Sequence, residues 1–476
     1  MTDRPLILLH GWNDEGSSFE RLAGHLHRRL GAERIQLVAI GDYLSKDDAL
    51  RFDDLVAALD RAWTERGLPR DAASVDVIVH STGGLVIRDW LARHFSPDAA
   101  PVKHLVMLAP ANFGSPLAHL GRSMLGRVAN GFFSRQAGQA ALETGAGILR
   151  GLELASPYSW ELAMRDRFGE DDGMYAPGRV LCTVLCGNSG YGGIRAVANE
   201  DGGDGTVRLS TANLNCARVR IAFRETLRQE GGEEIRVTVP EVVEYRPSIG
   251  RTAFRILDGL HHSAIKLDDA YSQLSQARLG ALDLIERALG IEDADFDDFC
   301  DECEQANRQL TRQPGGRSGK PGFQNTVVRV HDQFDVPVED YLIEFYDPRA
   351  NRSDGGRLAR TIHEEAIRKV HAYQADPSLR SLYIDTAQLY NAVARAGTQL
   401  GMSITAEPML EEDEQAAHHT PVGFRTLADE DIDDLQLDDT QLTEFFQPHR
   451  TLLVDICLHR SQAANVFRLN EHRAGA

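Results

Sequence analysis

The segment Val77-Ile78-Val79-His80-Ser81-Thr82-Gly83-Gly84-Leu85-Val86-Ile87-Arg88 constrains this chain more than any other. Its β-branched start reads as the end of a buried strand, and the double glycine opens an apolar run of helical character. A serine placed between the two sits on a tight, strained turn that leaves its hydroxyl exposed above a sheet edge. The turn brings flanking backbone close together, so Gly83 is expected where a Cβ would collide. The helix N-terminus behind Ser81 favours negative charge at that point. One position departs from the usual Gly-x-Ser-x-Gly pattern: Val79 stands where the first glycine belongs, and a β-branched side chain crowds the turn.

A turn of this kind needs a parallel sheet around it. Residues 6–9, 35–39, 75–79, 104–108 and 180–185 are short Val/Ile/Leu-rich runs flanked by turn residues, as expected for strands buried on both faces. Between them lie amphipathic segments, such as Phe52, Leu55, Val56, Leu59, Ala62 and Trp63 at helical spacing. A similar stripe of Leu274, Ala277, Leu282, Ile285 and Leu289 closes the region. Strands alternating with helices predict a doubly wound, mostly parallel α/β sheet over residues 1–290. Two stretches interrupt it. Residues 114–175 lack a convincing strand and read as a helical insertion; residues 218–250 read as a β-rich insertion.

Beyond residue 290 the character changes. Residues 291–322 read as an acidic segment, with its run from Asp293 to Glu304, followed by a Gly/Pro-rich linker at 313–322. Residues 323–476 then read as a smaller β-rich domain, with strands at 326–331, 341–346, 381–385 and 452–459, a helical piece at 362–373, and acidic loops at 411–414 and 429–439. Charge separates the two parts: the chain carries a net −20, of which residues 291–476 hold −16. That balance excludes a nucleic-acid partner and disfavours electrostatic docking of the second part to anionic membranes.

Six cysteines are too few for a disulfide framework, and Cys300-Asp-Glu-Cys303 lacks a second pair at zinc spacing. They are expected to be reduced thiols, with no bound metal. Four apolar residues near the N-terminus suit a buried strand rather than a signal peptide, and no run of 18 uncharged apolar residues suggests a membrane helix. The expected location is cytoplasmic, with export by a route that uses no cleavable signal left open.

Three further segments carry chemistry. The first strand ends in Leu9-His10-Gly11-Trp12; one later loop reads Asp201-Gly202-Gly203-Asp204-Gly205-Thr206-Val207; another reads Asp258-Gly259-Leu260-His261-His262-Ser263-Ala264-Ile265. A serine nucleophile needs a base to take its proton and a carboxylate to orient that base. Both later loops follow expected strands, where active-site groups collect in open α/β sheets. By spacing alone, Asp201 competes with Asp204 and His261 with His262.

These segments, with Ala109-Pro110-Ala111-Asn112-Phe113-Gly114-Ser115, resemble the lipase branch of the α/β-hydrolase superfamily. Similar arrangements occur in lecithin:cholesterol acyltransferase, GPI inositol-deacylase-like hydrolases and bacterial triacylglycerol lipases. The resemblance covers roughly residues 4–290 and does not extend to 323–476. It implies a catalytic set of Ser81, Asp204 and His262, an oxyanion hole from the backbone N–H groups of Trp12 and Thr82, and no organic cofactor. Asp201 is then a turn residue, and His261 a loop residue. The implied activity is hydrolysis of lipid or phospholipid carboxylic esters; the apolar 114–175 insertion reads equally as a lid that makes peripheral membrane contact or as a face packed on the core. The alternatives are a hydrolase of small soluble esters or amides, and an effector whose 323–476 domain recognises a protein partner while the hydrolase domain is regulated or a scaffold.

Overall fold

The computed structural model describes residues 4–9, 19–31, 35–38, 48–118, 145–169, 173–193, 196, 199–349, 356–406, 422–423 and 435–462. The expectations for His10, Gly11 and Trp12, for residues 119–144 of the insertion and for the acidic loop 411–414 lie outside the described residues.

The first eight strands are β1 (Leu6–Leu9), β2 (Ile35–Val38), β3 (Val75–His80), β4 (Val102–Leu108), β5 (Leu181–Gly187), β6 (Cys216–Glu230), β7 (Glu233–Pro247) and β8 (Ala253–Leu257). Six of them form one parallel sheet in the order β2-β1-β3-β4-β5-β8. Strands β1, β3, β4 and β5 are buried at every position, which suits their Val/Ile/Leu-rich sequences. Helices Glu20–Leu30, Phe52–Glu65, Gly83–His94 and Gln276–Gly290 supply the crossovers and the closing cover. The stripe Phe52, Leu55, Val56, Leu59, Ala62 and Trp63 is buried, and Trp63 packs on Trp90 with ring centroids 4.5 Å apart. Each such side chain contributes about 1.5–3 kcal/mol through burial.

The acidic segment, given no element from the sequence, forms a helix, Phe296–Leu310, docked on this sheet. Phe296, Phe299, Cys300 and Cys303 recur at i, i+3, i+4 and i+7 and enter the first core. The surrounding carboxylates occupy its solvent face and hid the stripe. Asn307 of this helix caps the free edge of β8: its Oδ1 accepts from the Ile256 N–H at 2.8 Å, and its Nδ2 donates to the Phe254 carbonyl at 2.7 Å. Burial pushes the Cys300 thiol up to about 12 and that of Cys303 to about 11, so both are inert packing groups.

The remaining strands are β9 (Phe323–Asp332), β10 (Tyr341–Tyr346), β11 (Ile367–Ala372), β12 (Leu379–Asp385), β13 (Leu400–Ala406), β14 (Val422–Gly423), β15 (Leu435–Leu437), β16 (Thr451–Leu458) and β17 (Ser461–Gln462). A second six-stranded sheet runs β11-β12-β9-β16-β6-β7. The long hairpin β6–β7, expected as an insertion of the first unit, therefore belongs to the second sheet, with β6 parallel to β16 from Cys216–Thr451 onward. Pairing across more than 230 residues leaves no local trace in the sequence. The expected helix at 362–373 is also corrected: helical turns end at Ala366, and Ile367–Ala372 pairs antiparallel with β12. A helix at Thr386–Ala396, started by Asp385 accepting from the Gln388 N–H and ended by Gly397, had gone unread.

The two sheets share an apolar seam. Phe113, Trp160 and Phe168 of the first unit pack with Cys216, Val327, Leu379 and Leu453 of the second sheet.

Candidate active site

Ser81 follows the last residue of β3 and precedes the helix Gly83–His94. Its φ is +53°, a conformation that costs a non-glycine residue energy and marks the tight turn. The turn is held by the Ser81 N–H donating to the Leu108 carbonyl at 3.0 Å and by the Gly84 N–H donating to the Ser81 carbonyl at 3.1 Å. A close approach falls at Gly84, where a Cβ would lie 2.7 Å from Cβ of Pro110. Val79 is accommodated in the first core, fully buried and in register with Leu9 and Met107. The departure from the glycine pattern has not prevented the strained turn.

The Ser81 Oγ lies 3.1 Å from Nε2 of His262, and Nδ1 of His262 lies 2.9 Å from Oδ2 of Asp204. Asp204 is fully buried. Its other oxygen, Oδ1, accepts from the N–H groups of Thr206 at 2.9 Å and Val207 at 2.8 Å. Cys186 adds a weak S–H contact to Oδ2 at 3.9 Å; burial, with the Asp204 charge beside it, keeps that thiol protonated. His80 lies with its ring centroid 4.7 Å from that of His262 and its Nε2 3.2 Å from the His262 carbonyl.

The competing residues fall elsewhere. The Asp201 side chain is exposed, and its backbone carbonyl accepts from the Tyr383 hydroxyl. His261 accepts from the Ala264 N–H at 3.2 Å and packs against Tyr191. Burial, helped by Arg278, lowers its pKa. Thr82 is buried in the first helical turn after Ser81; Trp12 lies outside the described residues. Among the described residues, no group of three or more His, Cys, Asp or Glu side chains is placed to hold a metal ion.

Sequence reading missed Tyr191. Its hydroxyl lies 3.2 Å from Oγ1 of Thr206 and 3.2 Å from Oγ of Ser263, bridging the loops that carry Asp204 and His262. Asn199 holds Tyr191 by its backbone, accepting from the N–H and donating to the carbonyl, both at 2.8 Å. Gly205, with φ +90°, leaves room for the ring: a Cβ there would lie 2.7 Å from it. Only the glycines of this stretch hinted at the close approach. Ser115, at the start of the insertion, donates to the Thr206 carbonyl at 2.6 Å.

The parallel sheet with a serine on a strained strand-to-helix turn, an interrupting helical insertion and a β-rich second unit defines the α/β-hydrolase fold with an added domain. The chain is similar over nearly its whole length to phospholipase PlaB from Legionella pneumophila, at 23% identity, covering 99% of this chain and 97% of that one, with a TM-score of 0.76. A second PlaB structure, in complex with thio-NAD, gives 0.75 over the same shares. The mature form of Bacillus licheniformis lipase BlEst2 aligns at 20% identity over 44% of this chain and 79% of that one, with a TM-score of 0.28. No protein-family model matches the chain, and no curated protein matches it. The PlaB likeness extends the shared fold through the second sheet.

Proposed function

We propose that the protein is a serine hydrolase cleaving carboxylic esters of lipids or phospholipids. The observation that carries this reading is the hydrogen-bonded series Ser81–His262–Asp204 at a strained turn, with a half-buried hydroxyl at one end and a buried carboxylate at the other. In the reaction, Ser81 Oγ attacks the ester carbonyl while its proton passes to Nε2 of His262. Asp204 holds the ring in the tautomer that presents a lone pair to Ser81 and stabilises the imidazolium. The tetrahedral oxyanion is held by the backbone N–H groups of Thr82 and Trp12. Collapse breaks the C–O bond, and His262 returns the proton to the departing alcohol. Water, activated by the same His262, then releases the acid and restores Ser81.

Lipid as the substrate class is supported by the apolar insertion covering 114–175, and by the likeness to a protein named as a phospholipase. The described ends of that insertion are tied together: Ser115 N–H donates to the Leu152 carbonyl at 2.7 Å, beside the Ser115–Glu153 bridge. Contact with a lipid surface is assigned to this insertion.

The test is hydrolysis of p-nitrophenyl esters from acetate to palmitate by wild type and Ser81→Ala, with a fluorophosphonate label on Ser81. Activity and labelling lost in the variant, with an optimum at long chains, are the expected results. An optimum at acetate points to small soluble esters, and an unlabelled wild type overturns the hydrolase reading in favour of a scaffold.

A further inference from the structure

The loop that carries Asp204 is built mainly of small residues. Gly202, Gly203 and Gly205 leave its backbone with more freedom than an orienting carboxylate tolerates. Its own bonds run from the Asp204 N–H to the Val207 carbonyl at 3.1 Å, from the Leu209 N–H to the Gly202 carbonyl at 2.9 Å, and from the Thr206 and Val207 N–H groups to the Asp204 carboxylate. Additional restraint comes from the second sheet. Tyr383 of β12 donates its hydroxyl to the Asp201 carbonyl at 2.7 Å. Its ring is stacked on Phe323 of β9, with centroids 4.5 Å apart, and carries the Arg208 guanidinium 4.0 Å above it. Gly202, with φ +76°, is pressed into this group: a Cβ there would lie 2.4 Å from the Phe323 ring and 2.5 Å from the Tyr383 oxygen. On the other side of the loop, Glu200 is bound by Arg208 at 2.7 Å and by Lys369 of β11. Burial opposes its charge, but the two cations outweigh that and hold its pKa below the ordinary value.

We propose that Tyr383 and Lys369 are positioning residues for Asp204, so that the second sheet is a working part of the catalytic machinery rather than a separable recognition module. The proposal rests on the serine-hydrolase reading above. Tyr383 and Lys369 lie 182 and 169 residues from the loop positions they hold, so the acid is placed only when both sheets are assembled. A displacement of β11 and β12 reaches Asp204 through two rigid contacts, and a shift of about 1 Å in such a group is enough to slow turnover strongly.

A double-mutant cycle in the full-length chain tests this, with kcat and KM measured on a p-nitrophenyl ester. Tyr383→Phe keeps the stacked ring and removes the hydroxyl. It is expected to lower kcat about three- to tenfold with KM unchanged, and to add nothing in an Asp204→Asn background. Lys369→Met, at a solvent-exposed position, is expected to behave likewise and carries the test if Tyr383→Phe lowers the melting temperature too far. Tyr390→Phe removes a hydroxyl that donates to the Phe446 carbonyl at 2.5 Å within the second unit, and is expected to leave kcat unchanged. No loss in either Tyr383→Phe or Lys369→Met, or the same loss with and without the Asp204 carboxylate, overturns the proposal. Full activity in Asp204→Asn alone overturns the underlying triad reading, and is distinguished because that arm leaves Tyr383 and Lys369 intact.

Discussion

His262 is joined to Asp204 at two points: Nδ1 lies 2.9 Å from the carboxylate, and the His262 backbone N–H donates to the Asp204 carbonyl at 3.0 Å. The ring and the loop that orients it therefore move together. A second tie runs through Tyr191, whose hydroxyl touches a side chain on each loop. Two loops that are 58 residues apart thus behave as one support for the imidazole facing Ser81.

Replacing Asp204 by asparagine turns an acceptor into a group that also presents an N–H to Nδ1 of His262. The ring must then carry its proton on Nε2, the atom that should accept from Ser81. Turnover is expected to fall about 10³- to 10⁴-fold. Asp201→Asn, which leaves the backbone carbonyl used by Tyr383, is expected to stay within about twofold, since the exposed side chain makes no contact in the triad. The two variants assayed side by side for kcat separate the assignments, and the opposite ranking transfers the acid role to Asp201.

Restoring the first glycine of the serine turn is expected to harm the protein without improving it. Val79 is fully buried in the core, so Val79→Gly removes packed methyl groups and loosens a central strand. A loss of about 2–4 kcal/mol in chemical denaturation, with no rise in kcat, is the expected outcome. A faster enzyme would mean that the valine strains the nucleophile.

Arg88 and Asp166 are both fully buried and share two bonds, at 2.8 and 2.9 Å, linking the helix behind Ser81 to the helix Pro157–Asp166. Asp166→Ala strands the guanidinium in the core and is expected to cost about 3–5 kcal/mol. The denaturation midpoint reads this directly. A change below about 1 kcal/mol would show that the Asn112 carbonyl, which accepts from Arg88 Nη1 at 3.0 Å, or water is enough to satisfy the guanidinium.

Acid is expected to loosen the junction of the two sheets through His449. Its Nε2 lies 2.8 Å from the Thr311 hydroxyl and its carbonyl accepts from Asn213, while burial lowers its pKa to about 4. The folded value lies below that of the free imidazole, so the unfolded chain binds the proton first. This contribution is fully present above about pH 6.5 and is lost as the pH falls toward 4. Melting curves between pH 7 and 4 should show a steeper decline for wild type than for His449→Gln. Parallel declines would assign the acid sensitivity elsewhere.

The first sheet was legible because β1, β3, β4 and β5 are buried on both faces and rich in Val, Ile and Leu, and because helices between parallel strands repeat their stripes locally. The serine turn and the pairs Asp201/Asp204 and His261/His262 were legible for a related reason: the chemistry demands particular residues directly after strands. Selection within each pair came from likeness to known hydrolases; the structure places His262 beside Ser81 and Asp204 beside His262. The helix Phe296–Leu310 went unread because its carboxylates outnumber a four-residue apolar stripe.

The linear order of residues was thus sufficient for the parallel sheet, the strained serine and the short set of candidate partners, all of which follow from local periodicity and backbone sterics. Assembly in three dimensions decided the rest: which hairpin completes the second sheet, where Tyr191 and Tyr383 touch, and which strands reach the loop that carries Asp204. Among them, Tyr191 reaches Ser263 across 72 positions and Tyr383 reaches Asp201 across 182. Local propensity carries no information about such pairs, because their stability comes from burial and hydrogen bonds that exist only after both sheets have packed.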